Sequence, residues 1–160
     1  MKILFVCAGN TCRSVLAEGY LRKFIKKNKI TWMDVKSCGT VASPNFKVPK
    51  IVLKLLLDEG VDLSGHISTS VNKLLVDVSE YIFVMETRHK EELLRRYPEN
   101  KKKIHLLKEF AENMKLDDPE VPDPIGQPDE VYIKAAGVME ELVKKSFERI
   151  IETKRTGAPQ

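Results

Sequence analysis

Apolar residues along this chain follow two spacings. Ile3, Leu4, Phe5 and Val6 form an unbroken run just behind the N-terminus, the pattern of a strand buried on both faces, and it predicts a strand over residues 2–7. Ala17, Tyr20, Leu21, Phe24 and Ile25 then recur at helical spacing and predict an amphipathic helix over 14–28. A second strand is expected over 30–37, carrying Trp32, Met33 and Val35, followed by a loop with the turn residues Ser43, Pro44 and Asn45. Pro49 suits a first helical turn and Gly60 a helix end, so a helix burying Val52, Leu55 and Leu56 is expected between them. A short helix is expected near 71–75 and a third strand over 81–85. A helix follows over 87–97 with Leu93, Leu94 and Tyr97 inward, then a fourth strand over 104–107. Residues 108–128 hold no long periodic pattern. The last helix is expected over 129–151, buried through Val131, Ala135, Val138, Met139, Leu142 and Ile150, with residues 154–160 as a frayed tail.

Strands that alternate with helices imply βαβ units, a parallel sheet and helices on both of its faces. Ligands in such folds collect beyond the carboxyl ends of strands, where Cys7 stands. The 160 residues fit one domain, expected over 1–153.

Composition narrows the class. Hydrophobic residues make up 42% and charged residues 31%, ordinary values for a soluble globular chain. The net charge of +4 is modest, and no aromatic residues interleave with Lys26, Lys27 and Lys29 or with Lys101, Lys102 and Lys103, which argues against nucleic-acid binding. Three cysteines are too few and too odd in number for a secreted disulfide framework. No signal-peptide pattern and no apolar run near the ~20 residues of a membrane span is present, so a cytoplasmic protein without a membrane partner is expected. His66, His89 and His105 lack ligand spacing, and no metal site is expected.

The chemistry concentrates after the first strand, in Cys7-Ala8-Gly9-Asn10-Thr11-Cys12-Arg13-Ser14. A thiol at a strand end, a tight loop and an arginine opening a helix surround one small volume. Backbone N–H groups from Ala8, Gly9, Asn10, Thr11 and Cys12 can converge there on a phosphate-like dianion, and the Arg13 fork can hold two of its oxygens. The same positive ends favour a thiolate at Cys7, which Ser14 can steady by a hydrogen bond.

This loop, with Ala17 and Glu18 after it, resembles the signature of the low-molecular-weight protein tyrosine phosphatases. The resemblance extends through Ser37-Cys38-Gly39-Thr40, Asp62-Leu63-Ser64-Gly65-His66, Val84-Met85 and Pro122-Asp123-Pro124-Ile125-Gly126, with Val131-Tyr132 in register. It implies a flavodoxin-like, three-layer α/β fold with four parallel strands in the order 2-1-3-4. It also implies hydrolysis of phosphorylated protein substrates through a phosphocysteine, without metal or cofactor, by a monomer or weak dimer. Cys7, Arg13, Ser14 and an aspartate would be the catalytic set. In part of the family a cysteine at the position of Cys12 forms a reversible disulfide with the nucleophile. His66 falls at a family position that supports the site by hydrogen bonding.

Two Asp-Pro pairs compete for the general acid, Asp118-Pro119 and Asp123-Pro124, and the family register favours Asp123. Two pocket positions bear on the substrate. Thr11 stands where many tyrosine-specific members carry isoleucine, and Ile125 where many carry an aromatic residue. A threonine here is typical of the family's protein-arginine phosphatases. Phosphotyrosine is the first expectation and phosphoarginine the alternative. An arsenate reductase on the same fold would need a further cysteine pair, and residues 39–160 contain no cysteine. A phosphoryl carrier would need neither Arg13 nor an acid, and a catalytically dead phosphopeptide-binding module is at odds with an intact Cys7, Arg13 and Asp123.

Overall fold

The computed structural model describes residues 1–157. The strands β1 (Lys2–Cys7), β2 (Asp34–Gly39), β3 (Tyr81–Val84) and β4 (Ile104–Leu106) form one parallel sheet in the order β2-β1-β3-β4. The parallel sheet expected from strand alternation is present, in the strand order that the family resemblance implied. β1 is central, which is why its apolar run is unbroken: alternate side chains enter two different cores. Ile3, Phe5 and Cys7 face one side with Val35, Tyr81 and Phe83, while Leu4 and Val6 face the other with Cys38, Ile82, Val84, Ile104 and Leu106.

The first face is covered by α1 (Arg13–Lys27), α2 (Lys50–Asp58), α5 (Leu107–Glu112) and α6 (Asp129–Thr156), the second by α3 (Lys73–Val78) and α4 (Thr87–Arg96). Phe24 of α1 stacks on Phe147 of α6 at 5.9 Å, and Phe5 meets Phe83 across the sheet at 5.6 Å. No helix among the described residues is long and apolar enough to cross a membrane.

The structure departs from the sequence reading in four places. β2 begins at Asp34 rather than at residue 30, because residues 30–33 turn to bring the Met1 amine to the Trp32 carbonyl at 2.7 Å. Residues 108–128 open on the short helix α5, and a 3₁₀ turn over Pro98–Lys103 precedes β4; both are too short to display a period. α6 runs past residue 151 to Thr156, stopped by Gly157 at φ 65°. The expected tail thus overlaps the helix at 154–156, and its residues 158–160 lie outside the described residues. The buried stripe of α6 is also turned by one position in its first half. Met139, Leu142 and Ile150 are buried as expected, but in the first half of the helix Tyr132 and Ala136 are buried in place of Val131 and Ala135, and Val131 and Val138 are 38% and 50% exposed. Two adjacent apolar stripes share this helix, and packing against α1 selects between them.

One close approach joins the sheet to the Cys7 loop. A Cβ on Gly39, at the end of β2, would lie 2.2 Å from the Ala8 carbonyl oxygen and 2.9 Å from the Asn10 nitrogen. Gly137 of α6 instead has open space at its Cβ position. Gly39→Ala is therefore expected to destabilise the fold by about 1–3 kcal/mol through overpacking. Gly137→Ala should stabilise it by up to about 1 kcal/mol through helix propensity. Denaturant unfolding of the two variants checks this pair, and shifts of the same sign would contradict it.

Candidate active site

β1 ends at Cys7 and α1 begins at Arg13, so the five residues between them must turn within the space of one helix end. None of the N–H groups of Gly9, Asn10, Thr11 and Cys12 donates to a protein acceptor among the described residues, which leaves them for an anion. The loop floors a cavity of about 560 Å³ that is lined in part by Cys7, Thr11, Arg13, Asp123 and Ile125. The structure thus gathers in one cavity the residues that the sequence singled out from two distant stretches.

Asn10 holds the loop in shape. It is fully buried and its φ is 55°, a left-handed conformation that asparagine tolerates better than most residues. Its amide nitrogen donates to Ser14 Oγ at 3.0 Å and to Ser37 Oγ at 2.9 Å, and its Oδ1 accepts from the Thr69 N–H at 2.9 Å. Its carbonyl accepts from Ser68 Oγ at 3.0 Å and meets His66 Nε2 at 3.1 Å. Ser37 Oγ in turn donates to buried Glu18 Oε2 at 2.5 Å, and Glu18 pairs with Arg22. Ser14 Oγ sits 3.0 Å from Cys7 Sγ, so the chain of bonds ends on the thiol. His66 thereby fills the supporting place expected of it.

Arg13 is 2% exposed, an unusual burial for a guanidinium, and three acceptors account for it. Nη1 donates to Glu86 and to the Val121 carbonyl at 2.9 Å, while Nη2 donates to Asp123 Oδ2 at 2.6 Å. Burial works against the Glu86 charge, but the bonds from Arg88 and Arg13 outweigh it and hold its carboxyl below the ordinary value. His89, one turn along α4, is 2% exposed with both ring nitrogens unpartnered, its Nε2 3.9 Å from Glu86. Burial pushes this imidazole down to about 4, with the Arg13 and Arg88 charges assisting and Glu86 opposing. It is a neutral neighbour of the clamp.

The two aspartates separate clearly. Asp123 lines the cavity, whereas the Asp118 side chain is 80% exposed and pairs with Lys108 at 3.4 Å. Cys12 lies on the same cavity wall as Cys7, both thiols being free and buried. Burial first, then the Asp123 and Cys7 charges, push the Cys12 thiol up to about 12 against the pull of Arg13. Cys38 packs in the second core, as expected of a small apolar residue.

Two contributors escaped the sequence reading. Glu86 follows β3, and Phe46 reaches the cavity from the loop after β2. A Cβ on Gly9 would meet Thr11 Oγ1 at 3.6 Å and the Phe46 ring at 3.7 Å, so a hydroxyl and a ring flank the cavity floor together. The signal for both was topological: each follows the carboxyl end of a strand next to β1.

Residues 2–156 match the family described as low molecular weight phosphotyrosine protein phosphatase. A protein-arginine-phosphatase of Geobacillus stearothermophilus is 32% identical over 149 residues, covering 93% of this chain and 95% of its own. A solved low molecular weight protein tyrosine phosphatase from T. tengcongensis is 35% identical, with a TM-score of 0.84 over 93% of this chain and 99% of that one. The solved YwlE arginine phosphatase, in a mutant with a phosphorylated active-site serine, is 26% identical with a TM-score of 0.88, covering 97% and 99%. With its fold, its cysteine loop and a match along nearly its whole length, this chain belongs to the low molecular weight phosphotyrosine protein phosphatase family of cysteine-based hydrolases.

Proposed function

We propose that this chain hydrolyses phosphoarginine in proteins through a phosphocysteine intermediate. The Cys7 thiolate attacks phosphorus in line, forming the S–P bond as the P–N bond to the guanidine breaks. Asp123 gives its proton to the leaving nitrogen. A water that has lost its proton to Asp123 then cleaves the S–P bond, releasing inorganic phosphate and restoring the thiolate. Arg13 and the loop N–H groups hold the equatorial oxygens throughout. Arg13 Nη2 transfers from Asp123 to a phosphate oxygen when the dianion binds, which frees the carboxyl for proton transfer, while Glu86 and Val121 keep Nη1 anchored. Ser14 steadies the thiolate as nucleophile and as leaving group.

The observation that carries the substrate choice is Thr11, whose hydroxyl stands over the cavity floor beside the Phe46 ring. A hydroxyl can accept from a guanidinium N–H, and a ring can take its planar cation on one face. The arginine-phosphatase name of the Geobacillus relative supports the same choice. A second reading, phosphotyrosine, is favoured by the apolar wall that Phe46 and Ile125 make together, which suits a phenyl ring. Cys12 is the proposed disulfide partner of Cys7. A hydroperoxide gives one oxygen to the Cys7 thiolate to form a sulfenic acid and leaves as its alcohol or water, and the Cys12 sulfur then displaces that oxygen as water. Loss of the Cys7 charge removes one of the causes that keep Cys12 protonated. We place the reaction in the cytoplasm, where the three free thiols stay reduced.

Turnover of phosphoarginine and phosphotyrosine by wild type and by Thr11→Ile tests the substrate. Wild type should prefer phosphoarginine, and Thr11→Ile should lose about tenfold or more in kcat/KM on it while keeping phosphotyrosine, as expected when a polar substrate group is left unpaired. A wild type that prefers phosphotyrosine, with phosphoarginine turnover unmoved by the change, would leave the second reading in its place. Asp123→Ala should lower kcat by about 10²–10⁴-fold on a substrate with a poor leaving group, and Asp118→Ala by far less. The reverse order would move the acid to Asp118.

A further inference from the structure

A second cavity, of about 280 Å³, opens at the β4 edge of the sheet and shares no residue with the catalytic one. Its walls come from five places in the chain. α4 supplies Lys90, β4 supplies His105, α5 supplies Glu109 and Phe110, the turn after α5 supplies Lys115, and α6 supplies Arg149. Four of these six side chains are basic and one is acidic. Glu109 is already paired, with Lys115 at 3.0 Å. Lys90 and His105 make no side-chain hydrogen bond or ion pair among the described residues, although both are half-buried. Among the described residues the Arg149 guanidinium donates only to the Phe110 carbonyl, and it lies 4.4 Å from the Phe110 ring centroid.

The floor beneath these cations is aromatic. The Phe110 ring packs on Phe83 at 4.8 Å, on His105 at 5.3 Å and on Tyr81 at 5.6 Å. The Arg149 guanidinium lies over the ring, where a planar ligand would otherwise stack. At about 280 Å³ and with mostly cationic charged walls, the cavity suits a compact anion. Basic side chains on an open surface separate into water, as Lys101 and Lys102 do. Here the sheet edge and two helices hold them together.

We propose that the β4 edge carries a second oxyanion site, in which Lys90, His105, Lys115 and Arg149 receive a small phosphate-class anion. A dianion there would meet one unpaired lysine, a guanidinium with free N–H groups and an imidazole edge, a set of donors from three elements. The electrostatics of the protein agree. Burial, then the Lys90, Arg149 and Lys115 charges, lower the affinity of His105 for a proton. Burial and the Lys115 and Lys101 charges do the same for Lys90, with Glu109 opposing. An anion in the cavity relieves that repulsion, so its binding must raise the His105 pKa by linkage. The groups facing His105 are Lys90, Glu109, Lys115 and Arg149, with the rings of Tyr81, Phe83 and Phe110.

Proton NMR titration of the histidine rings with and without inorganic phosphate tests the site. His66, bonded to the Asn10 carbonyl, reports the catalytic loop, and His105 reports the β4 cavity. With about 20 mM phosphate, the His105 pKa in wild type should rise by about half a unit or more, against a chloride control of equal ionic strength. Lys90→Gln should remove at least half of that rise and leave both the His66 response and the phosphatase turnover unchanged. A response at His66 with none at His105 would overturn the proposal. So would an equal rise in chloride, which is screening alone, or a rise that Lys90→Gln leaves intact.

Discussion

The shape of the Cys7 loop at the candidate active site rests on one buried residue in a left-handed backbone conformation. Asn10 turns the chain between β1 and α1 and, through its amide and carbonyl, ties that turn to Ser14, Ser37, Ser68, His66 and Thr69. The partners come from three separate parts of the chain. A loop whose N–H groups must stay unpaired for an anion has no ladder to hold its own shape. The shape has to be imposed from behind, by side chains that bond its remaining polar atoms. Gly39 completes the support from below, where the loop backbone comes so near that a Cβ would overlap Ala8 O.

Arg13 illustrates the same division between loop and surroundings. The loop sets where the guanidinium starts, but Glu86 after β3, Val121 and Asp123 decide where it points. Its burial at 2% exposure is sustainable because each anchoring contact is charge-assisted or to a carbonyl. The clamp also links the loop that carries Asp123, the proposed proton donor, to the Cys7 loop, so both are positioned by one side chain. His89, buried and neutral beside Glu86, adds no competing charge to that pair.

The candidate site was legible in the sequence to the extent that its parts were contiguous. Cys7, Arg13 and Ser14 lie within one strand-loop-helix junction, and the spacing of their neighbours declares both the strand and the helix. Asp123 was legible only through its register with Gly126 and Tyr132, and the solvated place of Asp118 separates the two in space. Glu86 and Phe46 left no local pattern at all, because a single charged or aromatic residue after a strand looks like any loop residue. Their contribution exists only once β2, β1 and β3 lie side by side.

The same physical reason separates what the sequence by itself determined from what the tertiary structure decided. Period and strand alternation specify the parallel sheet and the thiol at the end of β1, since those follow from which faces of each element must leave water, whereas the strand order was implied only by the family resemblance. They do not specify which residues the first turns of α6 bury, because Val131 and Ala135 satisfy the helical period as well as Tyr132 and Ala136 do, and packing against α1 chooses. Nor do they specify that Lys90, His105, Lys115 and Arg149 converge at the β4 edge. Hydrophobic burial is read locally from period, whereas a cluster of charges arises from distance in space, and only the packed chain sets that distance.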